Sequence, residues 1–499
     1  MFGFQDDDVF RRAKDVLLDA DFTEDAIGSV LGRQEILTMP STDMPQVLRR
    51  TRDLTRLNTF IRLFFLGVPT PARAVRSALA PMTMDPWVQA ELLLPPDADG
   101  LVPPLVQIWP VSGFMMAVDL PWWRATAPDP DFVVPPGPLT LALANAMVRL
   151  RCEKLLDLGT GSGLLALLGS TIAGSVAATD KNERALDFTR FNARLNQVSN
   201  VKCLAGDLFE PVSEERFQLI LCNPPFVISP VQRFLFRDSG ERGDVFCRRL
   251  VQAAVNHLQI GGFFQFTANL AHQEGRSWKA DLESWFHDLG CDVLVLVERT
   301  ETASDYAMNW ILGTESKEAA LVSKRYEVWM DYFEREKIEA VSYLFINLRK
   351  SEGKSNWTQI DDPPCTIVGP CGDELLQFFQ CRDRFSGERG VQTLLDLRLK
   401  LSSLIRIEQE YAVGSGGLEL CRTRLKKTGG LQYPMEIHSN VARLLAGCDG
   451  NRTLRQLLQQ MADSLGVAFE QALPVVVPAI RSLLERSIVM ISEQPDDLQ

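Results

Sequence analysis

The chain has 499 residues, with 52 Lys and Arg against 64 Asp and Glu and a formal net charge of -12. Apolar residues make up 46% and charged residues 23%, which excludes a wholly disordered, collagen-like or low-complexity chain. At about 150 residues per domain the length predicts roughly three domains. The acidic balance argues against strong nonspecific binding to nucleic acid, which runs on phosphate neutralisation.

No apolar run approaches the roughly 18 residues needed to cross a bilayer. The opening MFGFQDDDVF carries three acids and no apolar stretch of a secretory signal. A cytoplasmic protein with no membrane attachment is expected. The 10 cysteines include no C-x-x-C pair and there are only 4 histidines, so free thiols in a reducing compartment are expected. Cys365, Cys371 and Cys381 have spacings that match no common zinc pattern and no histidine beside them, so no metal is expected.

Residues 1–125 read as a mainly helical, then mixed, domain. Val47, Leu48, Leu54, Leu57, Phe60, Ile61, Phe64 and Phe65 have helical spacing, and Pro69 and Pro71 break it. The same stretch holds Arg49, Arg50, Arg52, Arg56, Arg62, Arg73 and Arg76 against Asp43 and Asp53. These arginines suit either an RNA-facing surface or a solvated helix face.

The Pro- and Asp-rich stretch Ala127–Pro138 reads as a linker into a second domain, residues 126–350. There the pattern changes to alternating strands and helices. The candidate strands are Lys154–Asp157, Ser175–Thr179, Val201–Leu204, Phe217–Cys222, Phe263–Thr267, Asp292–Val297 and Ser342–Leu348. This order predicts an α/β core built on a doubly wound, mainly parallel, seven-stranded Rossmann-like sheet. The charged segment Glu315–Glu339 reads as an inserted helix.

Residues 351–430 read as a connecting region, with a helix over Asp396–Glu410 and a basic cluster at Arg422, Arg424, Lys426 and Lys427. Residues 431–499 read as three helices and a strand. The first helix begins at Val441, the second runs from a Thr453 cap to Leu465, and the third covers Phe469–Leu484 with interruptions at Pro474 and Pro478. Ile488–Ile491 closes as a strand. This order resembles a small winged-helix domain of the PqqD-like kind. The tail carries more acids than bases, so a protein partner or a structural role fits it better than DNA.

Four elements carry the chemistry. Asp157-Leu158-Gly159-Thr160-Gly161-Ser162-Gly163 takes a strand through a glycine-rich turn into a helix, where the backbone can approach a ligand and free N–H groups face it. Alone this serves a dinucleotide or simply a tight turn. Asp180 ends the second strand, where an acid takes ribose hydroxyls or caps a helix. Gly206-Asp207-Leu208 follows the third strand. Asp207 there accepts from an adenine amino group or serves as a turn residue. Asn223-Pro224-Pro225-Phe226 ends the fourth strand. The prolines fix an extended backbone without N–H groups, so the Asn223 side-chain oxygen and the Pro224 carbonyl are left as acceptors for an NH2 group. Phe226 offers a flat face for a planar group. A nitrogen conjugated to a π-system is a poor nucleophile. Two acceptors on its hydrogens favour pyramidalisation and free its lone pair.

The stretch from about Val133 to Leu348 resembles class I S-adenosylmethionine-dependent methyltransferases, and within them the HemK-type glutamine methyltransferases and the wider methyltransferase small domain group. The matching residues are D-L-G-T-G-S-G at 157–163, T-D at 179–180, F-N-A at 191–193, G-D at 206–207 and N-P-P-F at 223–226. The resemblance implies that Gly159, Thr160, Gly161, Ser162 and Gly163 wrap the methionine part of S-adenosylmethionine. It places Asp157 near the amino group of that part, Asp180 on its ribose, and Asp207 with Leu208 on its adenine. It implies that Asn223, Pro224, Pro225 and Phe226 hold the acceptor nitrogen, with Asn223 also beside the cofactor. Phe132 to Pro138 stands where a segment closes over the site, and Arg237-Asp238-Ser239-Gly240 stands where a glycine-rich loop follows the N-P-P motif. Position 226 is Phe where the family usually has Tyr. The family's N-terminal helical bundle is not recognisable in residues 1–125, and the long C-terminal extension is foreign to it.

The expected reaction is methyl transfer from S-adenosylmethionine to a planar nitrogen, without a metal. A protein glutamine side chain fits the acidic balance and the HemK-type motif. An RNA or DNA base, at adenine N6 or guanine N2, fits the arginine stretch and the basic cluster. A small-molecule acceptor is a third reading, motivated by the PqqD-like tail. A cofactor-binding scaffold without catalysis is a fourth. The expected partners are therefore a protein substrate or RNA, and a protein partner through the C-terminal domain.

Overall fold

The computed structural model describes residues 2–33, 36, 43–120, 131–353, 356–362, 364–414 and 417–492. The expected boundary at 125/126 and the first residues of the Ala127–Pro138 linker lie outside the described residues. The chain divides into two compact units. The first is Met1–Leu143, Leu150–Val295 and Thr300–Ile360, and the second is Ala144–Arg149, Leu296–Arg299 and Asp361–Gln499.

The sheet of the first unit contains β1 (Cys152–Leu158), β2 (Ala173–Asp180), β3 (Val201–Ala205), β4 (Phe217–Cys222), β5 (Leu258–Gln273), β6 (Cys291–Thr302), β7 (Ile338–Lys350) and β8 (Thr358–Asp361). Its order is β8-β6-β7-β5-β4-β1-β2-β3. β1 runs parallel to β2 and β4, β2 to β3, and β4 to β5. β7 alone is antiparallel to β5. The chain leaves β1 toward β2 and β3 on one side and resumes at β4 on the other, so the order reverses between β1 and β4. In an open α/β sheet that reversal makes a crevice at the carboxyl ends of the two strands.

The sheet has one strand more than the seven expected. Residues after β7 return along β6, where the Val293 N–H donates to the Trp357 carbonyl at 2.9 Å, and β8 joins the edge. β5 and β7 are also far longer than their apolar runs suggest. Their antiparallel register reaches from Phe263↔Arg349 to Gln273↔Ile338. The ladder extends both strands through Asn269, His272 and Ser342, residues without strong strand preference.

Helices α1 (Leu164–Ser170), α2 (Glu183–Leu195), α3 (Val245–Ala254), α4 (Ala303–Thr314) and α5 (Ala319–Glu336) complete the core. α5 is the expected insertion. The N-terminal region forms short helices and a hairpin, Val106–Val111 with Phe114–Asp119. The helical spacing over 47–65 becomes the helices Met44–Arg50 and Arg56–Phe60 and the π-helical turn Ile61–Phe65. This region does not close a core of its own. Phe10, Phe60, Phe64 and Trp87 join one apolar cluster with Ala185, Phe188, Phe191 and Leu195 of α2.

In the second unit, three strands in the order Asp449–Thr453, Arg398–Leu401, Val489–Ile491 pack with the helices Ser439–Ala446, Leu454–Leu465 and Phe469–Glu485 around one core, a winged-helix-like arrangement. The middle strand comes from upstream of residue 431. Two expectations fail here. Asp396–Glu410 is not a helix, because Arg398–Leu401 and Ile405–Gly414 are strands, the latter in a hairpin with Gly417–Lys427. Ile405, Ile407, Tyr411 and Val413 follow a period of two, and cross-strand pairing uses that period. Pro474 and Pro478 do not interrupt the last helix, which runs through both. They lie four apart on its exposed side, while Val476, Val477, Ile480 and Leu484 on the other side are buried and hold it together.

Candidate active site

The glycine-rich turn is held from below. Asp157, at the end of β1, is buried, and its carboxylate accepts from the Thr160 hydroxyl at 2.7 Å and the Ala166 N–H at 2.9 Å. Burial pushes its pKa up to about 7, against the pull of these two hydrogen bonds. The turn also hangs on β2, because the Gly159 and Thr160 N–H groups both donate to the Thr179 carbonyl at 2.9 Å. Gly163 has φ +88, and a Cβ there would meet Thr189 at 2.9 Å, so only glycine fits. Gly159 (φ +71) and Gly161 (φ +56) face open space.

Asp180 caps the far side of this turn. One carboxylate oxygen accepts from the Gly161 N–H at 3.0 Å and the other from the Asn182 N–H at 2.8 Å. Burial raises its pKa. After β3 the chain turns through Leu208, a non-glycine residue at φ +48, the sort of local strain that collects at functional sites. After β4, the Asn223 side chain sits between two hydroxyls. Its Nδ2 donates to Thr140 Oγ1 at 2.8 Å, and its Oδ1 accepts from Thr267 Oγ1 at 2.5 Å.

These elements surround one cavity of about 120 Å³. Gly159, Gly161, Asp180, Asp207, Leu208, Asn223 and Pro225 line it, with Val133 and Val134 on one wall and Leu235, Phe236 and Ser239 on another. Among the described lining residues the titratable groups are Asp180, Lys181 and Asp207.

Residues 139–290 match the model of the methyltransferase small domain family. Residues 19–103 and 376–491 match two models described as domains of unknown function. A Methanocaldococcus jannaschii protein assigned by name to the N5-glutamine methyltransferases is 30% identical over 141 residues, covering 27% of this chain and 70% of that one. The chain belongs to the HemK-type class I methyltransferases. A release factor glutamine methyltransferase of Xylella fastidiosa is 40% identical over 161 residues, 30% of this chain and 56% of that one. Another, of Thermodesulfovibrio yellowstonii, is 34% identical over 123 residues, 22% of this chain and 44% of that one. The match to each of these two thus spans less than two thirds of their length.

In this methyltransferase, seven of the expected site residues meet at the cavity and the others do not line it. Asp157, Thr160, Ser162 and Gly163 belong to the buried side of the glycine turn and shape it. Pro224 is buried beneath the motif. Phe226, expected to offer a stacking face, is 8% exposed and is not among the residues lining the cavity. Two aromatic residues line the cavity, Phe246 and, ten residues after Phe226, Phe236, which is edge-on to Phe132 with ring centroids 6.2 Å apart. The N-P-P motif did not point to Phe236, because its loop is placed by distant contacts. The same holds for Thr140 and Thr267, which come from the helix Pro138–Ala146 and from β5.

The loop carrying Phe236 is fastened by a buried ionic network. The Arg237 side chain is 1% exposed, and it donates from Nε to Asp238 at 2.8 Å and from Nη1 to Thr314 at 2.7 Å and Glu315 at 3.1 Å. Glu315 also accepts from Arg233 at 3.0 Å and from the Trp329 indole of α5 at 3.2 Å. The inserted helix therefore anchors one wall of the cavity.

The basic stretches are partly spent on structure. Arg56 donates to the carbonyls of Ala78 and Ala80, and Arg62 to Thr51 and the Leu48 carbonyl. In the second unit Arg422 and Arg424 share Glu436, Lys426 pairs with Glu408, and the buried Lys427 pairs with Glu374 at 2.6 Å. Arg49, Arg50, Arg52, Arg73 and Arg76 remain exposed.

The buried Asp157 predicts a pH signature. Its folded pKa of about 7 lies above the ordinary aspartate value of 3.8, so the folded chain holds a proton that the unfolded chain has lost. Its contribution is undiminished below pH 3.8 and is lost as pH rises through about 7. At 1.36 kcal/mol per pKa unit the loss is at most about 4 kcal/mol. Asp157→Asn removes it, so the melting temperature of the variant should gain on that of the wild type between pH 5 and pH 8. Parallel curves in calorimetry would show that Asp157 is not held neutral.

Proposed function

We propose that the chain transfers a methyl group from S-adenosylmethionine to a planar nitrogen, and that the acceptor is the side-chain amide of a glutamine in a protein. The observation that carries this reading is the single cavity at the sheet's reversal point, where Gly159, Gly161, Asp180, Asp207, Leu208 and Asn223 come together. The residues fit the cofactor. A Cβ at Gly159 or Gly161 would meet no protein atom within 4 Å, so the turn leaves a cradle. Asp180 is placed to accept from ribose hydroxyls. Asp207 and Leu208, which line the same cavity, are assigned to the adenine edge on this reading. S-adenosylmethionine supplies an electrophilic methyl on a sulfonium.

The chain's part in the reaction is alignment and hydrogen bonding. Asn223 Oδ1 has a lone pair left after accepting from Thr267, and it takes an N–H of the acceptor nitrogen. Thr140 and Thr267 hold the plane of the Asn223 amide. Hydrogen bonding from that nitrogen draws its lone pair out of conjugation. No cavity-lining histidine, cysteine or tyrosine is present among the described residues, so the proton leaves to solvent after transfer.

Two observations favour a protein acceptor over a nucleic-acid base. The four cations of the 422–427 cluster are paired with three carboxylates, Glu436, Glu408 and Glu374, which cancel most of its charge. Arg56 and Arg62 are tied to backbone carbonyls and a threonine. The relatives named as release factor glutamine methyltransferases support the same class of acceptor.

The test is transfer of tritium from labelled S-adenosylmethionine into a cell lysate, with and without ribonuclease. Label in a ribonuclease-resistant protein, mapped by mass to a glutamine, is the expected result. Label lost on ribonuclease treatment would replace the glutamine reading with an RNA base. Asp180→Ala is expected to weaken cofactor affinity by about tenfold or more in calorimetric titration, because ribose hydroxyls lose a charged acceptor. Unchanged affinity would remove Asp180 from the ribose.

A further inference from the structure

The strand Phe114–Asp119 pairs with Val106–Val111 along one edge, and among the described residues this sheet has those two strands. Side chains of α2 cover the other edge. The Asn196 amide accepts from the Met115 N–H at 3.0 Å and donates to the Met115 carbonyl at 2.8 Å. The Asn192 amide does the same for Ala117, at 2.7 Å and 3.0 Å. Four helical residues rise about 6 Å and two strand residues about 6.7 Å, so asparagines at i and i+4 can stand in for a neighbouring strand. At the third position of the same edge, Asp119 takes over. Its N–H donates to the Val133 carbonyl at 3.4 Å, and its carboxylate accepts from the Val133 N–H at 2.9 Å and from Arg184.

The Asp119 end of this edge connects to the cavity wall, and its middle connects to the glycine-rich turn. Val133 lines it. Asn192 has one further hydrogen and gives it to the Ser162 carbonyl, in the glycine-rich turn, at 2.8 Å. One turn earlier on α2, Thr189 donates to the Gly161 carbonyl at 3.0 Å. Asn192 is fully buried, and its three bonds leave no freedom of orientation. Turning the amide over would set its NH2 against the Ala117 N–H and its oxygen against the Ser162 carbonyl.

We propose that the N-terminal hairpin is a structural part of the cofactor site, and that Asn192 is the positioning residue that ties the hairpin to the glycine-rich turn. The inference rests on the reading of the cavity as the S-adenosylmethionine site. It gives the N-terminal region a definite task, which is to frame the turn through Ala117 and the wall through Asp119.

The two asparagines make the test. Asn192→Ala and Asn196→Ala each lose two bonds to the hairpin, but only Asn192→Ala frees the Ser162 carbonyl. Binding of S-adenosylhomocysteine to the full chain is measured by calorimetric titration, alongside melting temperature and hydrogen exchange at residues 159–163. Both variants should melt lower. Asn192→Ala should weaken binding by about tenfold and speed exchange in the turn, whereas Asn196→Ala should stay within about twofold of the wild type in both. Equal weakening in both variants would reduce Asn192 to a general stabiliser and overturn the proposal. So would wild-type affinity in Asn192→Ala. Failure of the wild-type chain itself to bind would overturn the cofactor reading of the cavity, and this inference with it.

Discussion

Asn223→Ala is expected to lower methyl transfer by about 10²- to 10⁴-fold while leaving cofactor affinity within about twofold, because it removes an acceptor that acts on the reacting nitrogen. The side chain also bridges Thr140 and Thr267, at 2.8 Å and 2.5 Å. A modest fall in melting temperature is therefore expected too, and Asn223→Asp separates the two effects. Aspartate keeps an oxygen toward Thr267 and toward the acceptor but has no hydrogen for Thr140. It should retain more activity than alanine at similar stability. Full activity in Asn223→Ala would remove this residue from the chemistry and with it the argument for a planar nitrogen.

Glu315→Ala should produce the largest loss of stability. The wild-type carboxylate is 3% exposed and receives hydrogen bonds from Arg233, Arg237 and Trp329. Its removal leaves the buried Arg237 with Asp238 as its only carboxylate partner, and breaking a buried pair from one side costs about 3–5 kcal/mol. The effect should extend to activity, because the loop fastened by Arg237 carries Leu235, Phe236 and Ser239 into the cavity wall. Glu315→Gln keeps acceptor and shape and should recover part of both. A calorimetric melt of Glu315→Ala that matches the wild type would mean that the insertion does not anchor the loop.

The parallel core was legible because its signals are local. Strand, glycine turn and helix follow one another at 152–170, and the acids at 157, 180 and 207 fall at strand ends whatever lies elsewhere in the chain. The sheet's reversal then brings those ends together, so the motifs alone were enough to name seven of the residues that line the cavity. Elements held by distant partners were not legible. β5 and β7 are long because they pair with each other. β8 exists because the chain returns to a free edge. The helix expected over Asp396–Glu410 is a strand turning into a hairpin, where pairing used an alternation that helical spacing concealed.

The site divides in the same way. Asn223, Asp180 and the glycine turn are properties of short sequences, because backbone angles and strand ends are set over a few residues. The positions of Phe226 and Phe236 were decided by packing. Stacking was expected of Phe226, which is buried, and Phe236 stands on the wall because Arg237 and Glu315, 78 residues apart, hold its loop. Thr140, Thr267 and Asn192 act through hydrogen bonds that span 83, 44 and 75 residues. By itself the sequence determined the core's alternation of strands and helices, its turn chemistry and the class of reaction. Only the tertiary structure decided which further side chains surround the cavity and what holds them there, because hydrogen-bond partners far apart in the chain leave no periodicity to read.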